Sequence, residues 1–109
     1  MQRFKKRLVW GEVSMEKKEI MKKAVAVKYD PQEYSPRVIA KGQGYVAEKL
    51  LAKAQSHGVQ TYKDAALLEE LTKIELGDNI PSELYHAVAQ VLVFIDNLDR
   101  EAGKGLRYV

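Results

Sequence analysis

The chain has no cysteine among its 109 residues. Disulfide frameworks, thiolate metal sites and cysteine nucleophiles are therefore excluded. Histidine is nearly as scarce. His57 and His86 lie far apart, neither has a partner at ligand spacing, and no metal site is expected. No apolar run approaches the roughly 18 residues of a membrane-spanning helix. The basic start is not followed by the apolar stretch of a signal peptide. Net charge is also small, with 18 Lys/Arg against 15 Asp/Glu. What remains is ordinary for one globular domain: 46% apolar and 30% charged residues. At this length folding buries roughly two-thirds of the unfolded chain's surface, enough for a core without staples.

The positive surplus is uneven. Residues 1–30 hold nine Lys/Arg against four Asp/Glu, whereas residues 31–109 hold nine against eleven. Residues 1–20 read as a basic, flexible leader, with the short cluster Arg3, Lys5, Lys6 and Arg7 solvated rather than bound. Gly11-Glu12-Val13-Ser14-Met15 is encoded by codons that resemble a ribosome-binding site ahead of a start codon. Residues 1–14 are therefore expected to be an over-extension carrying no function. Residues 15–23 read as a short helix or a disordered lead-in.

The domain is expected over residues 21–100, with a frayed tail at 101–109. Ala24–Tyr29 places Val at alternate positions and reads as a strand. Pro31 ends it, the loop runs to Pro36, and Arg37–Lys41 is a second strand paired antiparallel. Gly42-Gln43-Gly44 breaks the pattern, and Tyr45–Ser56 takes a helical period closed by Gly58. Val59–Lys63 is strand-like. Asp64 caps a helix over Ala65–Lys73. Gly77-Asp78-Asn79 is a turn, and Pro81 opens a helix over Ser82–Arg100, striped by Leu84, Val88, Val91, Leu92, Ile95 and Leu98. The expected class is α/β: a small three- to four-stranded mixed sheet packed by about three helices.

No catalytic constellation emerges. Gly42-x-Gly44 precedes a helix, but position 47 is alanine and the remaining dinucleotide context is missing. Glu69-Glu70 and Asp96/Asp99 read as solvated helix faces, and no serine sits in a nucleophile elbow. His57 is expected at a helix end, and His86 beside Glu83 on a helix surface. No catalytic residue, cofactor, metal or small-molecule substrate is expected.

Four segments carry a resemblance. Ala24-Val25-Ala26-Val27-Lys28-Tyr29-Asp30 resembles an A-V-A-L-K-Y-D strand, and Ser35-Pro36-Arg37-Val38-Ile39-Ala40-Lys41-Gly42 an A-P-x-V-V-A-K-G strand. Ala47-Glu48-Lys49 through His57-Gly58-Val59 resembles the helix that follows. Glu75–Pro81 with Ser82–Ala89 resembles E-L-G-x-x-I-P-x-E-L-Y-x-A-V-A. Together, over residues 24–96, they resemble the C-terminal cytoplasmic domain of the FlhB/YscU family, substrate-specificity switch proteins of flagellar and type III export. The resemblance implies a bacterial, cytoplasmic protein of protein export, in a stand-alone form without the family's membrane portion.

In that family an N-P-T-H loop precedes the A-V-A-L strand, and its asparagine cyclises to break the bond to proline. Here the loop falls on Glu19, Ile20, Met21 and Lys22, and no Asn precedes a Pro anywhere. The resemblance thus implies the cleaved fragment's shape without self-cleavage. Gly11–Glu19 is too charged to match the strand that precedes the loop, so an open sheet edge is expected along residues 24–29. Partner contacts are expected at Val25, Val27, Tyr29, Pro31, Pro36, Gly77, Asp78 and Pro81. The partners would be export-apparatus proteins or a membrane-bound FlhB-like homologue, with the chain peripheral at the export gate. The alternative is a small nucleic-acid-binding protein that uses the basic leader.

Overall fold

The computed structural model describes residues 5–14, 19–30, 32 and 35–91. Four strands form one sheet: β1 (Lys5–Ser14), β2 (Ile20–Tyr29), β3 (Arg37–Gln43) and β4 (Gln60–Lys63). Helix α1 (Tyr45–Ser56) connects β3 to β4, and α2 (Ala65–Thr72) follows β4. A 3-10 turn (Ser82–Leu84) leads into α3 (Tyr85–Ala89). Strand order is β3-β2-β1-β4. The β1–β2 and β2–β3 pairs are antiparallel and β1–β4 is parallel, so the sheet is mixed, as expected.

The largest correction concerns the start of the chain. Residues 5–14, expected as a leader without function, form one of the two inner strands of the sheet. They run in register with β2 from Lys5↔Tyr29 to Ser14↔Ile20. On their other side Arg7–Trp10 pair with Gln60–Lys63. Leu8 and Val9 are both buried, one beneath each face. A strand covered on both faces reads as a short continuous apolar run rather than an alternation. Leu8–Gly11 is only four residues long and is flanked by charges that sit near the strand's ends, which hid it. Gly11 lets α2 approach closely, since a Cβ there would meet Ala65 Cα and Leu68 Cδ2 at 3.2 Å. Trp10, thought to lack a role, lies under Lys63 and Lys22, whose Nζ atoms are 5.0 and 5.5 Å from its ring centroid.

Two further corrections follow. Ile20–Lys23 belong to β2 rather than to a helix or a disordered lead-in. Because β1 fills one side of β2 and β3 the other, residues 24–29 are not an edge. The sheet's edges are β3 and β4.

The two faces of the sheet are packed differently. One carries Val9, Val25, Val27 and Val38 against Leu67, Leu68 and Leu71 of α2, joined by Ile74, Ile80, Val88 and Val91. The other carries Leu8 and Ala24 against Ala47 and Ala54 of α1, with Trp10, Ala26, Leu50, Leu51 and Val59 partly buried. Gly42 is one of the residues expected to break the strand pattern. It lies in β3 beneath α1, where a Cβ would come within 2.6 Å of Val46 Cγ1 and 3.1 Å of the Ala47 backbone nitrogen. The glycine sets the distance between helix and strand.

The capping expectations hold. Asp64 Oδ1 accepts from the Leu67 N–H at 3.0 Å, closing the first turn of α2. At the other end of α2, Lys41 Nζ reaches from β3 and donates to the carbonyls of Thr72 and Ile74, at 3.0 and 2.6 Å. A cation there satisfies orphan carbonyls and complements the helix dipole. Of the long helix expected over Ser82–Arg100, the described part is the 3-10 turn and α3, with Val88 and Val91 buried. Leu92, Ile95, Leu98 and the tail at 101–109 lie outside the described residues.

Candidate interaction surface

The expected contact residues divide into three groups. Val25 and Val27 have no exposed surface, so they build the core and cannot meet a partner. Tyr29, at the end of β2, is half-buried against the same core. Pro31 lies outside the described residues. Pro36, Gly77, Asp78 and Pro81 come together at one corner of the sheet.

That corner is built by backbone hydrogen bonds. The segment 77–80 runs beside the start of β3 like a strap, with Arg37 and Asn79 forming an antiparallel bridge. The Gly77 N–H donates to the Val38 carbonyl at 2.8 Å, and Val38 N–H to the Asp78 carbonyl at 3.1 Å. The Ile80 N–H donates to the Pro36 carbonyl at 2.8 Å. Asn79 Nδ2 donates to the buried Ser35 Oγ at 2.6 Å. Gly77 sits at φ 88°, a conformation that glycine adopts without strain. Ile80 is buried and anchors the strap from below, while Gly77, Asp78 and Pro81 stay exposed. The strap covers the first half of the β3 edge. Sequence reading named its residues separately but gave no sign that Ser35–Val38 and Gly77–Ile80 are laid against each other.

The positions of the implied loop have a definite place. Glu19 precedes β2, and Ile20, Met21 and Lys22 are strand residues opposite Ser14, Val13 and Glu12. The Gly44 N–H donates to the Lys22 carbonyl at 2.7 Å, which ties this stretch to the entry of α1.

Neither histidine is placed as a ligand. His57 closes α1, its Nδ1–H donating to the Lys53 carbonyl at 2.9 Å. His86 Nε2 meets the Gln90 side-chain amide at 3.3 Å rather than Glu83. No group of three metal-ligating side chains occurs among the described residues. Among them, too, no helix is long and apolar enough to cross a membrane. Lys5, Lys6 and Arg7 start β1, and Arg7 is buried with Nη1 donating to the Lys6 carbonyl at 2.8 Å. Lys5, Lys6 and Arg7 of the basic cluster are thus strand residues rather than part of a flexible leader, and Arg3 lies outside the described residues.

The sequence profile of the FlhB HrpN YscU SpaS family matches residues 21–95. The chain belongs to this family. It is 41% identical over 80 residues to the uncharacterized protein YlqH of Bacillus subtilis, covering 72% of this chain and 86% of YlqH. To the flagellar biosynthetic protein FlhB of Helicobacter pylori it is 35% identical over 82 residues, which cover 74% of this chain but 23% of the relative. The family member described here thus spans about a quarter of that FlhB and most of YlqH. Its fold matches the crystal structure of the cytoplasmic domain of FlhB from Shewanella putrefaciens with a TM-score of 0.72 and 31% identity. That match covers 89% of this chain and 74% of the other. The family match begins at residue 21, whereas the structural match extends over most of the chain.

Proposed function

We propose that this chain is a non-catalytic protein-interaction module of the flagellar or type III export apparatus, and that it works uncut. The observation that carries the reading is the course of β2. Where the family resemblance puts a scissile Asn-Pro bond, Glu19 and Ile20 stand, and Ile20–Lys22 are paired strand residues. Cyclisation needs the side-chain amide nitrogen of an asparagine to attack its own carbonyl carbon while the proline nitrogen leaves. A glutamate offers no such nitrogen. The chain therefore keeps β1 and β2 covalently joined.

The position of β1 supports docking on export components over substitution for a cleaved fragment of a membrane-bound homologue. Its own β1 occupies the slot between β2 and β4. A homologue's corresponding strand would have to displace ten register pairs to enter. The exposed strap corner, with Gly77, Asp78 and Pro81 beside Pro36, is the contact surface on this reading. The test has two arms. Intact-mass analysis during prolonged incubation is expected to show one species, and a break between residues 19 and 22 would overturn the uncut state. Co-purification from the native host is expected to recover an export-apparatus component. Recovery of none would overturn the module assignment.

A further inference from the structure

A groove of about 260 Å³ opens between α1 and strands β1–β3, and it shares no residue with the strap corner. Its floor is apolar, formed by Leu8, Ala26, Ile39 and Leu50. Its rim carries Lys6, Lys53 and His57, and none of the ten residues that line it is acidic. Ile39 reaches the groove because it is the bulged residue of β3. Val38 pairs with Val27 and Ala40 with Ala26, leaving Ile39 unpaired and 37% exposed. On α1, Val46, Leu50, Lys53 and His57 fall on one stripe by helical spacing, apolar at the β3 end and basic at the C-terminal end. Val46 is 51% exposed, and Tyr45 beside it 73%.

We propose that this groove docks a protein segment bearing an aliphatic anchor flanked by carboxylates. The proposal rests on the interaction-module reading and names the chemistry of its partner. Ligand pockets for free small molecules usually run to roughly 300–1,000 Å³ and enclose the ligand. This groove is smaller and open, suited to one or two side chains presented by a larger partner. Charge complementarity selects the flanks. Among the described residues no carboxylate lies within 4.0 Å of Lys53 Nζ. The His57 Nδ1–H is engaged by the Lys53 carbonyl, which leaves Nε2 as the ring atom for a ligand. Lys53 also complements the negative end of the α1 dipole. That structural role alone predicts a change in stability and none in binding.

The test is an NMR titration of the full chain with capped peptides of the pattern Asp-Leu-Leu-Glu, the same peptides with Lys for each acid, and the same with Ser for each Leu. Shifts confined to the groove residues are expected, with the acidic-aliphatic set binding at least tenfold tighter than either control. Lys53→Glu is expected to lose that binding and to gain the lysine peptide, while staying folded with at most a small fall in its melting temperature. No response at about 1 mM peptide, a Kd regime near −4 kcal/mol, overturns the proposal, as do equal responses to all three sets or shifts centred on the strap corner. Host co-purification with Lys53→Glu separates the two readings. A wild-type chain that recovers an export component, with the variant doing so equally well, overturns the groove alone. A wild-type chain that recovers none overturns the module reading.

Discussion

The two faces of the sheet differ in what they are made of. The α2 face is closed by branched aliphatic side chains, seven of them on α2, the strap and the strands with no more than a trace of exposed surface. The α1 face is closed by small residues, Leu8 with three alanines, and leaves Leu50, Leu51 and Trp10 partly open. Burial of a Val or Leu side chain contributes roughly 1.5–3 kcal/mol, and burial of an alanine far less. The α2 face therefore holds the domain together. The α1 face gives up packing and gains a groove. Strand β1 belongs to both, with Leu8 under one face and Val9 under the other.

That contrast can be broken or sharpened by substitution. Deleting residues 1–14 removes from both faces at once and splits β4 from β2. Loss of cooperative unfolding is expected, read by thermal melts, and a deletion variant that melts like the full chain would break the contrast. Leu68→Ala, fully buried beneath α2, should cost about 2–5 kcal/mol in urea unfolding. Gly42→Val, on the α1 face, forces Val46 aside and presses on the Ala47 backbone, for an expected loss of about 1–3 kcal/mol. Asp64→Ala removes the α2 cap and should cost about 1 kcal/mol. Lys53→Glu on the groove rim should stay within about 0.5 kcal/mol. A rim substitution as costly as Leu68→Ala would mean that the α1 face is structural throughout.

The legible parts of the sequence were those with a long period or a chemical punctuation mark. The stripe of α1, the Asp64 cap, Gly58 at the end of α1 with φ 75° and the Val25/Val27 alternation all led to the observed elements. The family motifs led to the domain type and to the missing Asn-Pro bond. What stayed hidden was set by long-range pairing. Nothing in Lys5–Ser14 by itself distinguishes a solvated basic segment from a strand whose charges project past a covered centre. Its partners lie from 6 to 53 residues away, at Ile20–Tyr29 and Gln60–Lys63. Reading Val25 and Val27 as contact residues followed from that miss, because an absent β1 would have exposed them. The bulge at Ile39 and the strap over Val38 are likewise consequences of register, which composition does not carry.

The most direct measurement is amide hydrogen exchange across the β1–β2 hairpin of the full, uncut chain. Core strands exchange only through global opening, whereas an unattached leader exchanges at the rate of an unfolded peptide. The amides of Leu8, Val9 and Trp10 should be protected to the same free energy as those of Val25 and Val27. Unprotected exchange at Leu8–Trp10 beside a protected β2 would contradict a domain completed by its own first strand.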